Sequence, residues 1–497
     1  MLVARFLHEP SWGLVLDHAR PSICRFVSPR VARLSALVAA TLGVAACVPS
    51  RSAAEPEPPA VGAADLAEPA RPRRPPEPLV ESGTEAAARA EGPAPAALSA
   101  SRSVLSRTAL IRAVVRRNPE VDARRQALRA ARARRSQVSA LDDPEVAYGF
   151  APMTIGSGSF GQTVQVSQRL PWPGKRASLG ASAEAESEAA RDDVRVTELD
   201  LALEASLSFD DYYLVHRSLE VNDYHQHLLR ELKSAAEVQL STGRASLQDP
   251  LQAEVELSRL VQQSATLHAE RTSIAAVLNG LLHRAPTEAL PPPDVSSSPD
   301  LEPPASEPEL WRIALSSSPE LRGLRARERA AESLAQYAER EYYPDFTLMA
   351  SYNTMVMPDA RLMLGIAAPI PLQRGRRGGM LEEAGARSAE ARAQAAREVD
   401  RIRVRVSVAR QQVLETIRVV KIIEQRVVPA AKAQVAAARV DFAPGRTSFL
   451  AVVEGEKNLR NVELSLHSAV AELGRRRARL DRALGRLPFV ANSAEVR

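Results

Sequence analysis

A mainly helical fold with a small β part, built from one unit repeated in tandem, is predicted by three observations. Landmark motifs recur in one order about 200 positions apart. Two proline-poor stretches of roughly 65 residues keep a helical period, and two pairs of short segments alternate apolar and polar residues.

The landmarks are specific. Asn118-Pro119-Glu120-Val121 returns as Ser318-Pro319-Glu320-Leu321, and Asp143-Pro144-Glu145-Val146 as Tyr343-Pro344-Asp345-Phe346. Arg169-Leu170-Pro171-Trp172-Pro173-Gly174-Lys175-Arg176 corresponds to Pro369-Ile370-Pro371-Leu372-Gln373-Arg374-Gly375-Arg376. Thr242-Gly243-Arg244-Ala245-Ser246-Leu247 corresponds to Pro444-Gly445-Arg446-Thr447-Ser448-Phe449.

Each copy opens on a short helix, residues 104–117 and 309–317, followed by a proline at a helix N-terminus, where its missing N–H is not needed. A helix of about six turns then ends before Pro144 or Pro344. Strands are predicted at 145–151 and 162–170, joined by a glycine-rich run at 156–159. In the second copy Phe346, Leu348, Ala350 and Tyr352 alternate with Thr347, Met349, Ser351 and Asn353, and Leu362, Leu364 and Ile366 alternate again before Pro369. Period two means one apolar and one more polar face.

Long helices follow at 176–241 and 376–442, with Pro429 their one proline. Leu199, Ala202, Ser206, Phe209, Tyr213 and His216 trace one apolar seam; Val413, Ile417, Val420 and Val427 trace another. At 1.5 Å per residue such a helix is about 100 Å long, wider than any globular core. Each turns at its glycine and returns, over 247–282 and 449–484, as the second arm of a helical hairpin.

The leading segment reads differently. Arg25, Arg30 and Arg33 precede a mostly apolar run, residues 34–46, too short to span a bilayer but suited to a signal-peptide core. It ends Leu42-Gly43-Val44-Ala45-Ala46-Cys47, which resembles a bacterial lipobox, so Cys47 is the expected lipidation site. Cleavage there removes Cys24 and leaves no second thiol for a disulfide. Val48 stands where an aspartate favours inner-membrane retention, which points to the outer membrane. The expected organisation is a signal peptide at 1–46, a lipidated cysteine and Pro/Ala-rich tether at 47–103, repeats at 104–284 and 309–487, a linker at 285–308 and a tail at 488–497.

Composition narrows the function. The 65 basic and 60 acidic residues are interleaved, which describes solvated helix faces and gives no support to nucleic-acid binding. No His-Glu-x-x-His, Gly-x-Ser-x-Gly or P-loop pattern occurs, so neither an enzyme nor a cofactor is expected. Strands of seven to ten residues suit a tilted barrel, yet two hairpins cannot close one, so the chain must oligomerise. A trimer would supply twelve strands, although the sequence itself does not count subunits.

With the duplicated Pro-Glu helix starts, the Pro-Trp-Pro-Gly-Lys-Arg run and the Thr-Gly-Arg and Pro-Gly-Arg turns in order, residues 104–487 resemble the TolC family of outer-membrane efflux proteins. The resemblance implies a homotrimer whose 12-stranded transmembrane β-barrel continues as a long periplasmic α-barrel. It implies a non-enzymatic conduit serving a periplasmic membrane-fusion adaptor and an inner-membrane pump. Pro173-Gly174-Lys175-Arg176 is similar to the heavy-metal branch. By the same resemblance the turns at 239–247 and 440–449 sit at the periplasmic tip, where Gly243, Arg244, Gly445 and Arg446 meet the adaptor. Family members carry two acidic residues after the second turn; here those places hold Ala451 and Glu454, with Asp249 matching Ala451 in the first copy. Asp249 and Glu454 are therefore the aperture candidates, the second equally readable as a solvated glutamate beside Lys457.

No metal site is expected. Met349, Met355, Met357 and Met363 cluster in the second β-hairpin as weak candidates for soft cations, against their ordinary use as apolar filler. His225 and His227 lie two apart on a helix and point apart, and His216 sits in the apolar seam. Two other readings stay open: a non-channel periplasmic coiled-coil scaffold, and the outer duct of a type I peptide or protein secretion system.

Overall fold

Both copies start alike because both place a proline immediately after a capping side chain. In the computed structural model, which describes residues 104–151, 161–243, 245–294, 300–354, 361–370, 372–442 and 446–488, α1 (Arg107–Arg117) begins at Ser106 and α2 (Pro119–Ser139) at Asn118. The Ser106 Oγ accepts the Ala109 N–H at 3.3 Å and the Asn118 Oδ1 accepts the Glu120 N–H at 2.9 Å. Strands β1 (Glu145–Ala151) and β2 (Gly161–Leu170) follow, then α3 (Lys175–Ser241) and α4 (Gln248–Leu281). The second copy repeats this with α5 (Glu307–Ser317), α6 (Pro319–Arg340), β3 (Phe346–Asn353) and β4 (Leu362–Ala367). Ser318 caps α6, its Oγ accepting the Leu321 N–H at 3.2 Å.

The expected helix at 376–442 is broken. It runs as α7 (Arg374–Ile422), a π turn (Ile423–Val427) and α8 (Val428–Phe442), before α9 (Phe449–Ala483) returns. Pro429 has no N–H to give, and in an α-helix its ring would collide with the carbonyl of Gln425; a wider turn just before it relieves that clash. The extra residue also shifts the phase. Val413, Ile417 and Val420 are buried as expected, but Val427 is 39% exposed and the seam resumes at Ala431 and Val435. In α3, Leu199, Ala202, Ser206 and Phe209 are buried as read, whereas Tyr212 and Val215 take the inner places expected of Tyr213 and His216. The cause is that α3 is flanked by several helices, so its inner face is wider than a single 3.5-residue stripe.

Each copy has its own core, where a short helix lies across the long pair. Leu110, Ile111 and Val114 of α1 meet Phe209, Tyr212 and Val215 of α3 and Leu278 of α4. Leu310 and Ala314 of α5 meet Ile402, Val406 and Val413 of α7 and Leu473 of α9. Nearer the turns, Leu229 of α3, Leu260 of α4 and Phe449 and Val453 of α9 form one core shared by the copies. The strands form one antiparallel sheet in the order β1-β2-β3-β4, so the second and third strands join the copies edge to edge.

Candidate functional site

The register sorts the sheet into two faces. Val146 faces Val166 and Tyr148 faces Val164; Val164 faces Tyr352, which faces Leu362; Leu348 faces Ile366. All of these are exposed, Leu364 reaching 81% and Leu362 69%, so a four-strand apolar surface stands bare. The opposite face carries Thr163, Gln165, Ser167, Thr347, Ser351 and Asn353. One side fit for hydrocarbon and one for water is the division a transmembrane barrel wall needs. Among the described residues, β1 and β4 each have one unpaired edge.

Met349 and Met363 lie on the polar face, opposite Gly365 and Ser351, and the Gln165 amide approaches the Met349 sulfur at 3.8 Å. Neither of these two belongs to the apolar face. Met355 and Met357 lie outside the described residues, as does Cys47. Among the described residues no group of three or more His, Cys, Asp or Glu could hold a metal ion.

Where the sheet meets the helices, the Trp172-to-Arg176 run has a structural task. The Trp172 ring stacks on Tyr343 with centroids 4.9 Å apart, and its backbone N–H donates to Asp345 Oδ1 at 3.0 Å. Gly174 takes φ +90°, a left-handed conformation that lets α3 start directly under β2. The Lys175 ammonium, its side chain 5% exposed, donates to Asp345 Oδ1 at 2.8 Å, Glu341 Oε1 at 3.0 Å and the Tyr343 carbonyl at 3.0 Å. Arg169 reaches the other Asp345 oxygen at 2.8 Å. Lys175 belongs to the first copy and its partners to the second, so this clamp fixes the two hairpins to one another. Sequence reading used the motif as a landmark and missed its role. The one local signal was a carboxylate directly after Pro344.

At the far end, Gly243 takes φ +72° with no atom within 4 Å of an added Cβ, an open reversal between α3 and α4. Arg244 and Gly445 lie outside the described residues; Arg446 is exposed, its backbone N–H bonded to the Asp441 carbonyl at 2.9 Å. Asp249 lies in the first turn of α4, and its Oδ2 accepts the Ser246 N–H at 3.2 Å, the geometry of a helix start. Glu454 is exposed, 3.7 Å from Lys457 on the same helix.

Two residues further along, Glu456 is almost wholly buried, and nothing in the local sequence marks it. Arg439 of α8 donates to its Oε1 through Nε, at 2.8 Å, and Nη2, at 2.5 Å. Its other oxygen lies 3.9 Å from His225 Nδ1, and His225 Nε2 is 3.2 Å from Glu463. The His225 hydrogen bond, against the effect of burial, holds the Glu463 carboxyl below the usual range. His227 points away into solvent, as its spacing predicts. His216 is half-buried with its ring edge-on to Tyr212, centroids 4.5 Å apart, and burial lowers its pKa.

Comparison with known proteins converges on one architecture. A family model described as outer membrane efflux protein matches residues 310–486, the second repeat. The outer-membrane channel OprN is similar over 76% of this chain and 89% of its own at 18% identity, with a TM-score of 0.65. CusC covers 76% of this chain and 92% of its own at 17% identity and TM-score 0.66. The outer membrane protein VceC of Vibrio cholerae covers 76% and 96% at 17% identity and TM-score 0.64. No curated protein sequence matches the chain.

Proposed function

We propose that this chain is the outer-membrane channel of a tripartite efflux system, because its second repeat matches the outer membrane efflux protein family and its fold is similar to that of the outer-membrane channel OprN. One observation carries the reading: a sheet with a bare apolar face and two unpaired edges, continuous through a buried ionic clamp with helices long enough to leave the membrane. In hydrocarbon an open sheet edge is not tolerated. Four strands per chain close economically as a homotrimer of twelve, with the polar face around a water-filled lumen and the long helices continuing it through the periplasm. CusC, one of the similar structures, is described as undergoing transmembrane channel formation.

The helical turns then form the periplasmic end. There Gly243, Arg244, Gly445 and Arg446 meet a membrane-fusion adaptor, which couples the duct to an inner-membrane pump. Three copies of Glu454, and of Asp249 behind them, ring the aperture and favour cations; three equivalent carboxylates concentrate a field no single one makes. Acyl chains on Cys47 hold the assembly to the outer membrane beside the barrel. A scaffold with no channel would leave the apolar sheet face without a partner.

The test is conductance of the purified protein in planar bilayers. Stepwise ion currents are expected, with cation preference reduced by Glu454→Gln; a soluble monomer or an oligomer that never conducts would refute the channel. Replacing Cys47 with Ser removes acyl labelling, and persistence of the label rules out the anchor.

A further inference from the structure

The two copies bury equivalent surfaces unequally, and the bare half fits a second copy of this chain. In order of contact the upper helices form a row, α2, α3, α6, α7, so α2 and α7 are its ends. In the middle joint, Arg322 of α6 donates through Nε and Nη2 to Asp192 of α3, at 3.0 and 2.7 Å. Arg329 pairs with Glu188 at 2.5 Å, and a Cβ on Gly323 would touch the Asp192 side chain at 3.6 Å. On α3, Ser178, Ser182, Ala185 and Ala189 are 4, 3, 6 and 2% exposed.

Their counterparts in α7, at the repeat offset, are Gly378, Glu382, Gly385 and Ala389, of which the last three are exposed. On α2, Ala123 and Ala130 hold the places of Gly323 and Ala330; both are exposed, whereas Ala330 is 5% exposed. The chain thus makes one such joint and carries the separated halves of another. The free edges of the sheet fall at the same two ends, since β1 follows α2 and β4 precedes α7. Halves at opposite ends of a row meet head to tail, the kind of contact from which a closed ring of copies is built.

Charge matches as well. Asp122 and Arg392 occupy the positions of Arg322 and Asp192, so acid and base have changed places together. Both side chains are open, 63 and 66% exposed; Asp122 pairs within its own helix, with Arg125 at 3.1 Å, and Arg392 reaches across to α6, where Glu328 lies at 3.2 Å and Glu332 at 2.9 Å. We propose that α7 of one copy seats on α2 of the next as α3 seats on α6, joined by an Arg392–Asp122 pair of exchanged sign. This contact rests on the trimeric channel reading above and specifies the residues that close it.

The experiment uses the full chain extracted in detergent. Asp122→Arg and Arg392→Asp each raise the protein concentration at which the trimer dissociates by about tenfold, more at low salt, and the double variant returns within about threefold of wild type. Recovery in the double variant excludes misfolding as the cause of the single effects. In a second arm, Ala123→Cys with Ala389→Cys gives an oxidation-dependent covalent trimer that neither single variant gives. A wild type that is trimeric and conducting, with unaffected single variants and no cross-link, overturns this contact and leaves the channel standing. A wild type that is monomeric overturns both.

Discussion

Asp345→Asn probes the clamp between sheet and helices most directly. Lys175 has three N–H donors and spends them on Asp345, Glu341 and the Tyr343 carbonyl, so no donor is spare. The substitution keeps an acceptor for the Trp172 N–H but leaves a buried ammonium facing a neutral amide. Removing one partner of a buried pair costs about 3–5 kcal/mol. Glu341 remains 3.0 Å away with its side chain 26% exposed, which lowers the expected loss to about 2–3 kcal/mol. Lys175→Met instead removes the buried charge, keeps the stem's volume and leaves Asp345 with Arg169 and the Trp172 N–H, so about 1 kcal/mol is expected. For the roughly 360 described residues the unfolding entropy is about 0.8 kcal/mol/K, so Asp345→Asn lowers Tm by about 3 °C and Lys175→Met by about 1 °C. Thermal unfolding in detergent, followed by far-UV circular dichroism, measures both. If Asp345→Asn melts with wild type, or Lys175→Met is the more damaging, the ammonium is not held as described.

Gly474→Ala drives a Cβ into the Asp210 carboxylate, which is buried and held by Arg107 at 2.5 and 2.7 Å; a loss of about 2–4 kcal/mol is expected, read as Tm. Gly174→Ala imposes a left-handed strain and meets the Arg340 side chain at 2.7 Å, costing about 1–2 kcal/mol, whereas Gly280→Ala, helical with open space around it, stabilises by about 0.5–1 kcal/mol. Stability falls on acidification in two stages. Burial lowers the pKa of His216 and His467, so the unfolded chain binds protons first and Tm drops as pH falls below about 6.5. Glu463, through its His225 bond, and Glu320, through Arg482 against the effect of burial, are held below the usual carboxylate range, so the second loss begins below about 4.3. Replacing both histidines with Gln removes the upper stage only, and a pH profile unchanged by that double variant refutes the assignment.

What could be read from the sequence was what is local. Prolines 119, 144, 319 and 344 fix helix starts and ends, and two-residue alternation fixes the strands, so β1 falls on the expected residues and β2 starts one earlier, at Gly161. The unread parts are long-range. Lys175 and Asp345 are 170 positions apart and meet only because the sheet brings the copies together. Glu456 is indistinguishable in sequence from Glu454, and burial by α8 and α3 separates them. Tyr213 lies on the single apolar stripe of the sequence, but α3 is flanked by several helices and it is Tyr212 that they bury.

The π turn before Pro429 has two physical causes that a single substitution separates. One is the proline itself, which cannot continue an α-helix; the other is the seat of α8, where Ala431 and Val435 pack with Leu459 of α9 and Arg439 grips Glu456. Regularising the turn to α would remove its extra residue from the count and rotate α8 by about 100° relative to α7, taking Ala431 and Val435 off α9. Two buried apolar contacts and a doubly bonded ion pair outweigh the single backbone hydrogen bond that a new N–H offers, about 1 kcal/mol net. Pro429→Ala therefore keeps the π turn and gains helix propensity, raising Tm slightly. Loss of the Arg439–Glu456 coupling in a double-mutant cycle on the Pro429→Ala background would show instead that the proline, and not the seat of α8, sets the phase of this helix.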